Sequence, residues 1–174
     1  MIGLQRGTVQ VVAHRPDWYD LFEQEWRLLQ QHIGHLVLAI QHVGSTPVAG
    51  LDAKPILDMA VAVTFMAIIP RCGPLLYRLG YIDRGDGGTN GGYPFVKESA
   101  PGVRTHHAHA VAIDDPQWCN YLLFRDMLRA DEGLLTSYAK MKQDLQKHFS
   151  QDRTSYTAAK HEFIRGVPRQ QTNV

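Results

Sequence analysis

The stretch HVGSTPVAGLDAKPILDMAV, His42 to Val61, decides how this chain folds. A glycine-serine turn, Gly44-Ser45, stands before an apolar run that carries one aspartate, Asp58, near its start. Apolar residues occupy both alternating faces of that run, which is typical of a strand in the middle of a sheet. If the strands on either side of the turn are neighbours, the turn and the carboxylate face one cleft. Alternatively, the stretch is an ordinary turn between two strands.

Length and charge limit the class of protein. The 174 residues carry a formal net charge of +1, with 44% apolar and 20% charged residues, which predicts one soluble globular domain over residues 1–174. The longest apolar run, Met59–Ile69, is far shorter than the roughly 20 residues that cross a bilayer, so no membrane association is expected. A nearly neutral chain also lacks the excess of Lys and Arg with which proteins bind nucleic-acid backbones.

Signals for export and for disulfide formation are not visible. The opening MIGLQRGTVQVV has no basic region followed by an apolar stretch and a small-residue cleavage site. Cys72 and Cys119 lie far apart and in no metal or redox spacing. The sequence therefore predicts a cytoplasmic protein with two thiols rather than a disulfide.

The order of predicted elements indicates an α/β or α+β domain with a mixed sheet and a C-terminal helical layer. The predicted strands are 8–14, 35–43, 55–63, 80–84, 93–98 and 103–113. The predicted helices are 16–32, 65–79, 116–130, 132–149 and 155–167. Residues 85–92, GDGGTNGG, are predicted to form a flexible loop, either a lid or a long hairpin connection.

The turn and the aspartate suggest a phosphate and metal site. Gly44 permits a close approach of the backbone to a ligand, and Ser45 offers its N–H and its hydroxyl to a phosphate oxygen. Asp58 would hold a hydrated Mg²⁺ that bridges nucleotide phosphates. Two-metal transfer needs further carboxylates, but the position two residues on is Ala60. Tight binding of two Mg²⁺ ions is therefore not expected.

The histidine-rich strand offers other metal ligands. In THHAHAV, residues 105–111, His107 and His109 share one strand face. With Asp58 they would form a two-histidine-one-carboxylate set, to which His42 would add a fourth ligand. Zn²⁺ and Mn²⁺ are therefore alternatives to Mg²⁺. The histidines could instead hydrogen-bond backbone or carboxylate groups, or contact an anion when protonated.

Several cations are candidates for binding phosphate. Lys54 lies on the loop that leads to Asp58 and could reach a phosphate or lie on the surface. Arg125 and Arg129 are one helical turn apart and could form an anion clamp, or Arg125 could pair with a neighbouring aspartate. Lys142, Tyr156 and Lys160 could be brought to the same side. Walker, Rossmann, nucleophile-elbow and H-E-x-x-H patterns are absent from the sequence.

Seven segments between about Val9 and Ile164 carry a family resemblance. They are PDWYDLFEQE, HVGSTPVAGLDAKPILDMAV, Gly80–Gly85, RTHHAHAV, LLFRDMLRA, YAKMKQDL and YTAAKHEFI. In this combination and order the chain resembles the GrpB family. The resemblance implies a nucleotidyltransferase-like fold of the polymerase-β type, with a mixed sheet, the glycine-serine turn at Gly44-Ser45 and the strand carboxylate at Asp58.

No settled reaction follows from this resemblance. The family is largely uncharacterised biochemically, and in some bacteria a similar domain is fused to dephospho-CoA kinase as an assisting module. The family tends to keep only the first strand carboxylate, so Ala60 agrees with it. Gln41 stands where the family usually has glutamate, so no catalytic role is expected at that position.

Three functions remain open on the sequence alone. The first is transfer of a nucleotidyl or phosphoryl group to a small acceptor, with a nucleotide or other phosphorylated ligand and a divalent metal bound as described above. Here Asp58, His107 and His109 are the predicted catalytic residues. The second is a non-catalytic ligand-binding or folding-partner module. The third is a transition-metal hydrolase built on the histidines.

Overall fold

The computed structural model describes residues 2–85 and 92–167. The strands are β1 (Leu4–Gln5), β2 (Ala39–Val43), β3 (Leu57–Val63), β4 (Tyr81–Asp83), β5 (Tyr93–Ala100) and β6 (Val103–Ala112). The helices are α1 (Asp17–Ile33), α2 (Ile69–Arg78), α3 (Pro116–Ala130), α4 (Glu132–Phe149) and α5 (Arg153–Gly166). A single 3-10 turn, Met66–Ile68, leads into α2. The predicted lid falls on residues 86–91, outside the described part of the chain.

One mixed sheet organises the fold. Its strand order is β2-β3-β6-β5-β4, and β1 pairs with the beginning of β6. Strands β3 and β6 run parallel, whereas the other pairs are antiparallel. The parallel pair is central, and in β3 every residue except Asp58 is buried. This burial on both faces explains why β3 is apolar at nearly every position.

The two faces of the sheet support different layers. Met59 and Val61 of β3 face α1 and α2, in a cluster with Trp18 and Phe22 of α1. Ala60 and Ala62 of β3 point to the opposite face. There they pack with Trp118 of α3, one of the C-terminal helices. Side chains alternate along a strand, so Asp58 and Ala60 share the face toward these helices. The candidate site is therefore on the C-terminal helical side of the sheet.

The connection between β2 and β3 joins the sheet to the helices. Its apolar residues Val48 and Leu51 are buried against Leu128 of α3 and Tyr138 of α4. Each of the three C-terminal helices begins at an aspartate whose carboxylate accepts a backbone N–H of the first turn. These residues are Asp115, Asp131 and Asp152. Such caps are worth about 1 kcal/mol each and fix where the helices start.

The predicted mixed α/β class with C-terminal helices is confirmed, and most predicted elements match the observed ones. The strand predicted for residues 8–14 is wrong. Val12 forms one isolated bridge with Ala53, and the Val9 N–H donates to the carbonyl of Ser150 after α4. The first strand of the sheet is instead β1. The alternating valines therefore contact the helical layer and the β2–β3 connection, and they do not extend the sheet.

None of the described helices is long and apolar enough to cross a membrane.

Candidate functional site

The glycine-serine turn directly contacts the strand carboxylate. Val43 pairs with Asp58 in the antiparallel β2–β3 ladder, so the turn that follows β2 begins beside the first residues of β3. Gly44 has φ +75°, and a Cβ added to it would lie 2.9 Å from Oδ2 of Asp58. Glycine is therefore required at this position for two reasons: the positive φ, and the lack of space for a side chain beside the carboxylate.

Asp58, His107 and His109 form one cluster. In the parallel β3–β6 ladder Asp58 pairs with His107, and His109 lies two residues further along the same face. The three side chains each offer a ligand atom, and these atoms lie within 4.8 Å of one another. His107 Nδ1 is 2.9 Å from Asp58 Oδ1. This spacing is that of a hydrogen bond, so a metal at the cluster would be bound by the other ring nitrogen of His107.

The protonation of the cluster leaves lone pairs available. Burial disfavours a charged Asp58, but the hydrogen bond from His107 and the nearby positive charges outweigh it, so the pKa of Asp58 lies below its usual range. Burial lowers the pKa of His107 and brings that of His109 to about 4, so both rings are neutral at pH 7. An ionised Asp58 only accepts, so His107 donates through Nδ1 and its Nε2 carries the lone pair.

Two nitrogens of the cluster have no hydrogen-bond partner among the described residues. They are Nε2 of His107 and Nδ1 of His109, and both are buried. Buried polar atoms are nearly always hydrogen-bonded, so such atoms indicate a missing ligand or water. The Asp58 side chain is 34% exposed, so a ligand can reach the cluster from solvent.

His42 does not join this cluster. It pairs with Met59 in the β2–β3 ladder and therefore faces α1, on the opposite side of the sheet. Its ring stacks on Phe22 with the centroids 4.4 Å apart, and its Nε2 is 2.8 Å from the Thr46 hydroxyl. The metal role predicted for His42 has no support in this geometry, because the sheet separates it from Asp58.

Ser45 is held by a buried lysine of α4. Lys142 Nζ donates to Ser45 Oγ over 3.1 Å and also to the carbonyl of Asp52. Lys142 is only 2% exposed, and burial lowers its pKa to about 7. Its amine therefore connects the turn, the β2–β3 connection and α4. Sequence reasoning had named Lys142 only as a possible member of an anion clamp.

A second group of cations lies near Asp58. It consists of Lys54 from the β2–β3 connection with Arg153 and Lys160 from α5. Each of the three interacts electrostatically with Asp58. Arg153 was missed by sequence reasoning. The sequence feature that could have identified Arg153 is its spacing of seven residues from Lys160, because this spacing places both residues on one face of a helix.

Arg125 and Arg129 support the turn from α3. Arg125 donates to the carbonyl of His42 and to the Gln41 side chain, each over 3.1 Å, and also binds Asp126. Arg129 donates to the carbonyl of Pro47 over 3.0 Å. Their hydrogen bonds go to the backbone on both sides of the turn. The structure thus places these two predicted phosphate ligands where they position the turn.

Comparison with known proteins shows the family to which the chain is similar. The family model described as GrpB protein matches residues 8–170. The glutamate-rich protein GrpB of Alkalihalophilus pseudofirmus is 32% identical over 167 residues, which cover 94% of this chain and 96% of that protein. The crystal structure of the conserved protein GrpB from Enterococcus faecalis aligns with a TM-score of 0.77 and 29% identity, over 90% of this chain and 98% of that one.

A longer protein also contains a similar region. A dephospho-CoA kinase of Mycobacterium tuberculosis is 26% identical over 180 residues, which cover 90% of this chain but only 44% of the kinase. More than half of that kinase therefore lies outside the similarity. The match of the family model over nearly the whole chain, together with the full-length relatives, shows that the chain belongs to the GrpB family.

Proposed function

We propose that this protein binds a nucleotide or another phosphorylated ligand together with one divalent metal ion. Asp58, His107 and His109 would hold the metal, and the turn at Gly44-Ser45 would hold a phosphate. The observation that carries the proposal is the cluster itself, whose ligand atoms lie within 4.8 Å while two buried ring nitrogens have no partner among the described residues. A bound metal would satisfy those nitrogens.

The ligand types favour a transition metal. Mg²⁺ prefers oxygen ligands, whereas imidazole nitrogens with one carboxylate suit Zn²⁺, Mn²⁺ or Fe²⁺. We therefore place Zn²⁺ and Mn²⁺ ahead of the Mg²⁺ that the turn and aspartate alone suggested. Ala60 leaves the β3 face beside Asp58 without a second carboxylate, which supports one metal rather than two.

The proposed relation to nucleotidyltransferases rests on the same elements. An antiparallel strand pair, a glycine-serine turn against the first strand carboxylate and a mixed sheet agree with a polymerase-β type of fold. Transfer of a nucleotidyl or phosphoryl group to a small acceptor would then be the inherited chemistry. Because only one carboxylate, Asp58, is present on this strand face, the site supports binding of a metal and a phosphorylated ligand better than it supports group transfer.

A non-catalytic module is the second candidate, and two observations favour it. The second carboxylate is replaced by Ala60, and the similar region of the mycobacterial kinase occupies less than half of that protein. In this role the site would keep ligand binding without a reaction. Incubation with ATP, Mn²⁺ and a mixture of small acceptors separates the two candidates, because only the enzyme releases pyrophosphate or ADP.

Metal binding is tested by isothermal titration of the apoprotein with Zn²⁺ and Mn²⁺, with and without ATP. Asp58→Asn and His109→Gln are expected to weaken metal binding by 10-fold or more, because each removes one of three ligands. His106→Gln is the matched control, since His106 lies on β6 but faces Glu25 on the other side of the sheet. Equal effects of His106→Gln and His109→Gln, with both proteins folded, would reject the metal site.

A further inference from the structure

The cations Lys54, Arg153 and Lys160 form a group that we call the α5 cation group. Arg153 and Lys160 are seven residues apart on α5 and so project from one face. Tyr156, between them, is 1% exposed, and Lys54 Nζ lies 5.3 Å from the centroid of its ring. The packing of Tyr156 thus holds this face of α5 against the loop that leads into β3.

These three cations lack the partners that other partly buried cations have. Within residues 2–85 and 92–167, none of their side chains makes a hydrogen bond or an ion pair, and Lys54 contacts only the face of the Tyr156 ring. By contrast, Lys97 binds the carboxylate of Glu25 over 2.9 Å, and Arg125 binds Asp126 over 2.8 Å. A partly buried cation without an anion is unfavourable, so the group indicates a negatively charged ligand.

The cations also oppose one another. Burial, followed by the charges of Lys160 and Arg153, lowers the pKa of Lys54 to about 7. Burial likewise lowers the pKa of Lys160, and the charge of Arg153 adds to this effect. Among the described residues, the carboxylate that attracts all three cations is Asp58, and it already accepts a hydrogen bond from His107. The site therefore holds more positive than negative charge in the ligand-free protein.

A metal dication beside this group meets unfavourable electrostatics. Asp58 supplies one negative charge, whereas the α5 cation group supplies up to three positive ones. A phosphate dianion on the group would cancel this excess of positive charge and let the dication bind next to it. Such coupling between two binding sites is reciprocal, so each bound ligand raises the affinity of the protein for the other by the same factor.

We propose that the metal and a phosphate dianion bind as a coupled pair, with the metal at Asp58, His107 and His109 and the phosphate on the α5 cation group. The ligand class is a phosphate monoester or a polyphosphate. The inference rests on the proposed metal site and adds two claims to it. The metal is not a permanent structural ion, and the anion site includes α5 as well as the turn at Ser45.

The test is a set of titrations at pH 7 of the full-length protein with Mn²⁺ alone, with AMP alone, and with Mn²⁺ at saturating AMP. AMP carries a phosphate dianion and binds Mn²⁺ weakly in solution, and inorganic phosphate serves as a second probe. We expect AMP to raise the affinity for Mn²⁺ by about 10-fold or more, and Mn²⁺ to raise the affinity for AMP by the same factor.

Lys160→Met gives a distinctive result because its two effects have opposite signs. Removing this charge should strengthen Mn²⁺ binding without AMP several-fold and weaken AMP binding at least 10-fold. Arg153→Met is a second variant with the same expected pattern. Lys140→Met is the matched control, since Lys140 is exposed on α4 and should change neither affinity.

Three outcomes would overturn the inference, and they are distinguishable. If Mn²⁺ binds equally well with and without AMP, and Asp58→Asn abolishes its binding, the proposed metal site stands but the coupling is rejected. If neither Mn²⁺ nor AMP binds at millimolar concentration, the proposed function fails as well. Weakened Mn²⁺ binding in folded Lys160→Met without AMP would also reject the coupling, because relief of repulsion predicts the reverse.

Discussion

Gly44 lies so close to Asp58 that a Cβ on the glycine would be 2.9 Å from Oδ2 of the carboxylate. The pairing of Val43 with Asp58 produces this contact, because it aligns the end of β2 with the start of β3. The turn that would hold a phosphate and the carboxylate that would hold a metal are thus directly adjacent. Changes on either side of the contact should affect both stability and binding.

Gly44→Ala is expected to lower the free energy of unfolding by roughly 2–4 kcal/mol. About 1–2 kcal/mol comes from the positive φ and the rest from the clash with Asp58. Gly50→Ala is the matched control, since Gly50 has φ +76° but nothing within 4 Å of an added Cβ. It should cost only about 1–2 kcal/mol. Urea unfolding measures both, and equal losses would show that the contact is unimportant.

Acid should destabilise the protein through its buried neutral histidines. Burial lowers the pKa of His42 to about 3 and that of His106 to about 4, against 6.5 when unfolded. Below pH 6.5 the unfolded chain binds protons that the folded protein does not bind. The free energy of unfolding therefore falls between pH 6.5 and about 4. Each unit of difference is worth about 1.4 kcal/mol.

His42→Phe tests this origin of the acid sensitivity. A phenyl ring can retain the stacking on Phe22 but does not titrate. Unfolding curves from pH 7 to 4.5 should show a smaller loss of stability in this variant than in the wild type. His35→Phe, at an exposed position, should leave the loss unchanged. A His42→Phe variant with the wild-type pH slope would contradict the assignment.

Alkaline pH should have the opposite effect, through Lys142. Its pKa is about 7 in the folded protein, mainly because of burial, and 10.5 in the reference state. The unfolded chain therefore binds more protons between these values, so stability rises with pH from about 7 to 10.5. Lys142→Met should flatten this rise, whereas the exposed Lys140→Met should not. Unfolding in urea at pH 7, 8 and 9 measures the slope, and an unchanged slope in Lys142→Met would count against this assignment.

Arg125 is expected to matter for stability more than for ligand affinity. Arg125→Met removes hydrogen bonds to the His42 carbonyl and to Gln41, at a cost of about 1–3 kcal/mol. AMP affinity of the folded variant should stay within about twofold of wild type. Arg27→Met, at an exposed residue of α1, is the control for stability. A 10-fold loss of AMP affinity would instead make Arg125 a phosphate ligand.

Periodicity predicted most of the fold because the decisive strands have strong patterns. The β3 sequence is apolar on both faces, and the two parities of β6 lie on opposite faces, with Ala108 and Val111 in separate clusters. Residues 8–14 show an equally clear alternation but form no strand. Their backbone partners are Ser150 and Ala53, which are far away in the sequence. The alternation of residues within a short segment does not show which distant residues it will pair with.

The site was partly predictable for a related reason. Asp58, His107 and His109 follow from strand parity once β3 and β6 are neighbours. His42 was predicted as a fourth ligand from its place just before the turn, but the face on which it lies depends on the register of β2 against β3, which the local sequence pattern does not give. The position of Arg153 depends on how Tyr156 docks α5 against the rest of the fold, which helical spacing alone does not determine.

Anomalous diffraction above and below the manganese absorption edge, from crystals grown with Mn²⁺ and AMP, would locate the metal in the cluster. We predict one manganese peak about 2.1–2.3 Å from a carboxylate oxygen of Asp58 and from one nitrogen each of His107 and His109. The phosphate of AMP should lie beside it, within hydrogen-bonding distance of Lys160. A manganese peak away from these three side chains, or none at saturating Mn²⁺, would contradict the metal site proposed at Asp58, His107 and His109.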